Sequence, residues 1–258
     1  LLEGIGDYAF SGSGLTEINM PKVTDLGTNT FNGCEKLETV SLPSVENINI
    51  GTFRDCTSLK SVDISSAVKI SANAFRNTGV ERIVLDNIEE VGNYAFADNA
   101  NLVSAFFPNL VSTGSYVFQN CPLLKYVYLP KLEEVNSNTF KSCNELTTLY
   151  LPSVISVVKN AFAGSSVQYL KFESVESIKS LPDTLVNLIV PSTLEEISSV
   201  PATDFSVYGY NGTYAQQFAN ENNKEFYSVP FVVSETEENV DAETGYIFVY
   251  AQGFNCTY

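Results

Sequence analysis

Phenylalanine recurs along this chain at a nearly constant interval. Successive members of the series are only 21 or 22 residues apart, and the eight of them are Phe10, Phe31, Phe53, Phe75, Phe96, Phe118, Phe140 and Phe162. A self-similar period of about 20–29 residues is typical of leucine-rich solenoids, in which each repeat is one small supersecondary unit. Because such a unit cannot bury its apolar face alone, the repeats must stack on one another.

Each phenylalanine is followed by a segment of the form L-x-x-V-x-L-P. LETVSLP, LKYVYLP and LTTLYLP are examples, and a ninth copy, LVNLIVP, begins at Leu185. Alternating apolar and polar residues indicate a strand with one buried face, and the proline after it cannot donate to a ladder. Around the phenylalanine, Ala74, Phe75 and the residue three further on have a spacing that predicts a short helical turn.

The repeat pattern predicts a leucine-rich repeat solenoid. We expect a right-handed β/α superhelix with a parallel β-sheet on the concave face and short helical turns on the convex face. About nine repeats would fill residues 1–204, and residues 205–228 would form a capping strand and helix. Residues 229–258 would form a hairpin, with strands at 229–233 and 246–251 around an acidic loop at 234–245, or the start of a further module.

Composition excludes several classes of function. The net charge of −16 argues against nucleic-acid binding, which needs clustered Lys and Arg to neutralise phosphate. The chain has no histidine, which excludes Ser–His–Asp catalysis and histidine-ligated metal sites. No apolar run approaches the length of a membrane span. We expect no enzyme activity and no cofactor. The chain opens inside a repeat without an initiator methionine, so we expect it to be a piece of a longer protein.

Four of the five cysteines occupy one position of the repeat. Cys34, Cys56, Cys121 and Cys143 each stand three residues after a phenylalanine. That position predicts a small buried side chain that behaves as an apolar residue. The pairs Cys34–Cys56 and Cys121–Cys143 come within disulfide reach if their repeats stack, but parallel side-chain directions disfavour a bridge. We therefore expect free thiols in the core.

The outward positions of the later strands carry a group of aromatic residues. They are Phe106, Tyr126, Tyr128, Tyr150 and Tyr169. Two interpretations of this aromatic patch stay open. It could be a cross-strand ladder that stabilises the sheet, or a contact site, because Tyr and Phe are enriched at the centres of protein interfaces. The contact-site hypothesis makes these five residues the candidate partner-binding site.

The full repeat resembles a known family. IGDYAFSGSGLTEINMP and LGTNTFNGCEKLETVSLP are similar to the repeat of BspA-like leucine-rich repeat proteins, over about residues 1–200. The resemblance implies a secreted or surface-displayed bacterial protein, an adhesin-like module that binds an extracellular or host protein through its concave face. It brings no catalytic motif. The alternative is a structural spacer or glycan-binding segment of a larger secreted protein.

Overall fold

The structure is a computed structural model of the 258-residue chain. It describes residues 2–229 and two further strands, Glu238–Val240 and Ile247–Val249. In chain order, the strands of the main body are β1 (Gly4–Ile5), β2 (Glu17–Asn19), β3 (Asp25–Leu26), β4 (Thr39–Ser41), β5 (Asn47–Ile48), β6 (Ser61–Asp63), β7 (Lys69–Ile70), β8 (Arg82–Val84), β9 (Glu90–Val91), β10 (Ser104–Phe106), β11 (Ser112–Thr113), β12 (Tyr126–Tyr128), β13 (Glu134–Val135), β14 (Thr148–Leu151), β15 (Ser156–Val157), β16 (Tyr169–Phe172), β17 (Ser177–Ile178), β18 (Asn187–Ile189), β19 (Glu196–Ile197), β20 (Ser206–Gly209) and β21 (Glu225–Ser228). The one α-helix among the described residues is α1 (Tyr214–Glu221).

Two parallel ladders of strands run the length of the solenoid. The even-numbered strands from β2 to β20, with β21, form the long ladder, and the odd-numbered strands from β1 to β19 form the short ladder. The long strands are the predicted L-x-x-V-x-L segments, so the parallel solenoid is confirmed. Each ladder is divided into three hydrogen-bonded sheets, and the long one breaks after β6 and after β12.

The phenylalanine side chains stack into one column inside the solenoid. From Phe31 onward the rings have at most 1% of their surface exposed, and Phe10 at the first turn is partly buried. Consecutive ring centroids lie 5.1 to 6.0 Å apart, most of them nearly parallel. Offset stacking at this distance is favourable beyond the burial of area, so the ring column holds neighbouring turns in register.

The prediction of helical turns around the phenylalanines is wrong. These arcs are successive tight turns, because a left-handed residue stands two positions before and two positions after every phenylalanine. The earlier position holds Tyr8, Asn29, Gly51, Asn73, Tyr94, Tyr116, Asn138 and Asn160, and the later one Gly12, Gly33, Asp55, Asn77, Asp98, Asn120, Ser142 and Gly164. A right-handed helix cannot continue through a positive φ. Asn, Gly and Asp dominate both positions because they adopt this conformation at low cost.

The arcs are also hydrogen-bonded from turn to turn. The Phe53 amide donates to the Ala74 carbonyl at 2.8 Å, and the Phe75 amide donates to the Ala95 carbonyl at 2.8 Å. Backbone groups that a helix would have satisfied within itself are therefore paired between neighbouring repeats. The arcs add a further line of bonds to the two strand ladders.

The four repeat cysteines, Cys34, Cys56, Cys121 and Cys143, lie in the core, as predicted, and carry free thiols. Each sulfhydryl donates to the carbonyl of the phenylalanine in the preceding repeat. The Sγ–O distance is 3.1 Å from Cys56 to Phe31 and 3.2 Å from Cys121 to Phe96. Burial raises the pKa of both thiols to about 12.

Asn99 takes the place of a cysteine in one repeat. Its Nδ2 donates to the Phe75 carbonyl at 3.0 Å, and its Oδ1 accepts from the Thr78 amide at 2.6 Å. Asn99 thus supplies the same buried donor as the four cysteines, whereas the buried Ser165 hydroxyl at this position of the Phe162 repeat has no hydrogen-bond partner. The sulfur itself is not required.

Two long strands follow residue 204, the predicted end of the array. Strands β20 and β21 pair in parallel within the same sheet as β14, β16 and β18, and α1 lies between them with Ala215, Phe218 and Ala219 buried. The long ladder thus has eleven strands, of which nine lie within residues 1–204. The division at residue 204 into array and cap stays a prediction.

Beyond residue 229, the strand Glu238–Val240 pairs antiparallel with Ile247–Val249. The first of these strands falls within the segment 234–245, predicted as an acidic loop, and the second falls within the predicted strand 246–251. The other predicted strand, at 229–233, lies outside the described residues apart from Val229.

Candidate protein-binding face

The outward side chains of the long strands form one continuous surface, named here the long-strand face. Each three-residue strand directs its middle residue into the core and its two outer residues away from it, as the burial of Ile18 and Val40 between exposed neighbours shows. Because the strands pair in register, the outward side chains form two columns along the solenoid.

In the first turns both columns are polar. Glu17 and Asn19 on β2 are exposed, and Ser41 on β4 donates to the Asp63 carboxylate on β6 at 3.2 Å. These short side chains bury little area and carry no aromatic group. This part of the face has the composition of an ordinary solvated surface.

The predicted aromatic patch begins at β10 and β12. In the parallel register Ser104 is opposite Tyr126 and Phe106 is opposite Tyr128, and the Phe106 and Tyr128 rings stack at 5.9 Å. Tyr128 has 37% of its surface exposed.

Phe106 is not at the surface, although its position in the sequence predicted it there. Only 1% of its surface is exposed. Its strand lies between β8 and β12, so the ring has Val84 on one side and Tyr128 on the other. Phe106 therefore supports the Tyr128 ring from beneath and offers no open area of its own.

Tyr150 has local partners that fix its orientation. Its hydroxyl donates to Glu173 Oε1 at 2.6 Å, and Lys171 Nζ lies 4.7 Å from its ring centroid and 3.3 Å from Glu173 Oε1. Burial, followed by the hydrogen bond and the negative charge of Glu173, raises the pKa of Tyr150 well above its usual range. The phenol is neutral at every physiological pH and presents a rigid ring.

Tyr126 and Tyr169 are half-buried at the other outward column. Tyr169 is flanked in register by Thr148 and Asn187, and Lys125 Nζ lies 5.2 Å from the Tyr126 ring centroid. The register partner of Tyr150 is Lys171, so Tyr150 and Tyr169 are diagonal neighbours. The five predicted residues therefore lie on one face but do not form a single continuous ladder of rings.

Two aromatic residues of this face were missed by the sequence analysis. Tyr208 on β20 and Tyr227 on β21 are register partners in the same column as Tyr128 and Tyr150, and their rings stack at 5.1 Å. Tyr227 is 41% exposed. The signal was present in FSVYGY and EFYSVP, whose tyrosines follow a buried strand residue, but these segments were assigned to a cap outside the array.

Within residues 2–229 and the two further strands, no three His, Cys, Asp or Glu side chains come together as metal ligands. In the same residues no helix has the length and apolar character to cross a membrane.

The fold and its repeats define the class of protein, a leucine-rich repeat solenoid. The profile of the BspA type leucine rich repeat region matches residues 2–103 and 68–185. The chain belongs to this family.

One solved structure supports the fold. The chain is similar to a leucine-rich repeat protein from Bacteroides ovatus, with 21% identity and a TM-score of 0.52, over 89% of this chain and 70% of that one. It is also similar to the pneumococcal vaccine antigen PcpA, with 16% identity and a TM-score of 0.49, over 89% and 77% of the two chains. No curated protein matches the chain significantly. At this identity the first likeness shows the fold alone.

Proposed function

We propose that the protein is a non-catalytic interaction module, adhesin-like and displayed at the bacterial surface or secreted. In this proposal it binds an extracellular or host protein through the concave, long-strand face. Membership of the BspA type repeat family supports an interaction role over a catalytic one. The contact residues would be Tyr126, Tyr128, Tyr150 and Tyr169, with Phe106 as their support.

The observation that carries the proposal is the change in the face along the solenoid. The first turns present Glu17, Asn19 and Ser41, whereas later turns present tyrosines held by neighbouring side chains. A tyrosine immobilised before binding loses little conformational entropy on contact, and its area is large. Tyr150, fixed by Glu173 and Lys171, meets this description.

A structural role is the second candidate, and it rests on a specific observation. The stacks Phe106–Tyr128 and Tyr208–Tyr227 are intramolecular, and each cross-strand pair can stabilise a sheet by about 0.2–1 kcal/mol. A spacer segment would need these contacts and no partner. Glycan binding is the other form of this alternative, because exposed rings also suit sugar faces.

The decisive experiment compares binding and stability in the same variants. The protein would be tested against immobilised extracellular-matrix proteins and a glycan array, with Tyr128→Ser plus Tyr150→Ser as the test variant. Thr39→Ala plus Ser61→Ala, on the polar turns of the same face, is the matched control. Loss of binding by at least tenfold in the tyrosine variant alone supports the contact site. A lower melting temperature with unchanged binding supports the structural ladder and overturns the proposal.

A further inference from the structure

A second exposed feature runs along the short ladder. It is formed by the residue directly before each short strand. Seven consecutive turns place one side chain each in a line, and acidic and aliphatic residues alternate without exception. This alternating row consists of Glu46, Val68, Glu89, Val111, Glu133, Ile155 and Glu176.

Backbone hydrogen bonds join the members of the row directly. The Glu89 amide donates to the Val68 carbonyl at 2.9 Å, the Val111 amide to the Glu89 carbonyl at 3.0 Å, and the Glu133 amide to the Val111 carbonyl at 3.1 Å. The Ile155 amide in turn donates to the Glu133 carbonyl at 2.8 Å. Neighbouring turns are about 4.8 Å apart, so like members of the row recur about every 10 Å.

The aliphatic members are exposed, although most apolar positions of the repeat are buried. Val68 is 40% exposed, Val111 36% and Ile155 43%. A single exposed valine is ordinary. Three at regular intervals on one line, each between two glutamates, form a periodic surface in which apolar contact and negative charge alternate.

The column next to the row carries charges of both signs. Between β5 and β17 it contributes Glu90, Glu134 and Lys69, and Lys69 is paired with Glu90 at 2.6 Å. An open recess of about 410 Å³ lies at the same turns, lined by residues that include Lys69, Glu90 and Gly92 and by no member of the row. The excess negative charge therefore lies mainly on the glutamates of the row itself.

We propose that the alternating row binds an extended basic polypeptide lying along the solenoid axis. Its Lys or Arg side chains would meet the glutamates, and apolar side chains between them would contact Val68, Val111 and Ile155. A polyproline II segment advances about 3.1 Å per residue, so every third residue recurs after about 9.3 Å, close to the spacing of the glutamates. A second copy of this chain is disfavoured because its net charge is −16.

This inference concerns a different face from the tyrosines and does not rest on the function proposed above. Either face could bind while the other does not. The experiment therefore includes the tyrosine variant as an internal control.

The test uses a fluorescein-labelled peptide, (Lys-Val-Pro)₄, with (Glu-Val-Pro)₄ and (Lys-Ser-Pro)₄ as comparison peptides, measured by fluorescence anisotropy. We expect the first peptide to bind, the acidic one not to bind, and the serine one to bind about fivefold more weakly because it lacks apolar contacts. Affinity for the first peptide should fall as salt is raised, since the charges are exposed.

Two variants separate the row from general attraction to an acidic protein. Glu89→Gln plus Glu133→Gln should weaken binding about fivefold, whereas Glu35→Gln plus Glu145→Gln, the same change of charge elsewhere, should leave it unchanged. Val111→Thr plus Ile155→Thr keeps β-branched shapes and should also weaken binding about fivefold. Tyr128→Ser should have no effect.

Equal losses in both glutamine variants, or no loss in the threonine variant, would overturn the inference, because binding would then reflect net charge alone. Absence of binding by (Lys-Val-Pro)₄ would overturn it as well. Melting temperatures of all variants would confirm that each is folded.

Discussion

The eight phenylalanine-bearing turns and the turns after them use the same strand ladders but different arcs. Between β5 and β6 the arc spans residues 49–60 and contains Phe53, whereas between β17 and β18 it spans only 179–186 and has no phenylalanine. Between β20 and β21 the connection is the helix α1. Yet β14, β16, β18, β20 and β21 form one sheet across this change.

The strands therefore determine how the chain winds, and the arcs determine the local stability of each turn. A tight double turn, a short loop and a helix all return the chain to the next strand in register. The buried ring column and its hydrogen-bond donors belong to the first region only. Substitutions of matched kind in the two regions should therefore have unequal effects.

Removal of one phenylalanine ring should give the largest fall in the free energy of unfolding. Phe75 is fully buried between Phe53 and Phe96, at 5.1 and 5.3 Å, and Phe75→Ala should lower the free energy of unfolding by about 4 kcal/mol. Leu181→Ala in the later region should lower it by about 2 kcal/mol, because Leu181 is smaller and 6% exposed. Urea titration of both variants measures this, and equal losses would contradict a special role for the ring column.

Loss of the buried side-chain amide of Asn99 should give the second largest fall in the free energy of unfolding. Asn99→Ala leaves the Thr78 amide without its side-chain acceptor, and the Phe75 carbonyl with only the 3.4 Å bond from the Thr78 hydroxyl, so we expect a loss of about 2–3 kcal/mol. Thr184 is its counterpart in the later region, an exposed residue whose hydroxyl donates to the Val167 carbonyl at 2.7 Å. Thr184→Ala should lower the free energy of unfolding by about 1 kcal/mol, again by urea titration. A larger loss at Thr184 would reverse the comparison.

The thiols should be inert in the folded protein. Burial raises the pKa of Cys56 and Cys121 to about 12 from 9.0, and that of Cys143 in the same direction, so thiolate is scarce below pH 10. Cys34 is fully buried as well. With Cys256→Ser to remove the fifth cysteine, iodoacetamide at pH 8 should therefore label the protein only in urea. Rapid labelling under native conditions would contradict this.

The same shifts give a pH dependence. A thiol whose pKa is higher in the folded state stays protonated while the unfolded chain ionises, so its stabilising effect is complete below about pH 9 and is lost as the pH rises toward 12. Melting temperatures between pH 8 and 11 should fall. The triple variant Cys56→Ala, Cys121→Ala and Cys143→Ala should show a smaller slope.

The smallest expected changes in stability come from two asparagine substitutions, and they should have opposite signs in the two regions. Asn73 has a φ of 57°, so Asn73→Ala forces alanine into the left-handed region and should cost about 1 kcal/mol. Asn220 lies exposed in α1, where alanine is the better helix former, and Asn220→Ala should stabilise by about 0.5 kcal/mol. Thermal unfolding of the two variants should shift in opposite directions. Shifts of the same sign would show that the arcs do not depend on left-handed residues.

The candidate site could be predicted in part. The strand positions of Tyr126, Tyr128, Tyr150 and Tyr169 follow from the L-x-x-V-x-L period, because residues that alternate along a strand share a face. The burial of Phe106 could not be predicted, since it depends on the size of the side chains on β8 and β12. The pairing of Tyr150 with Glu173 depends on where the chain turns after β16, which no local pattern reveals.

The repeat could be derived from the sequence alone, including its period, the strand segments, the ring column and the buried cysteines. These follow from local spacing, because each repeat buries the same apolar positions against its neighbour. Only the tertiary structure decided the form of the arcs, the eleven-strand extent of the long ladder and which outward tyrosines are open. The reason is that these features depend on backbone conformations and contacts between turns, and a residue such as Tyr94 adopts a positive φ that its own identity disfavours because the stacked repeats on either side require it.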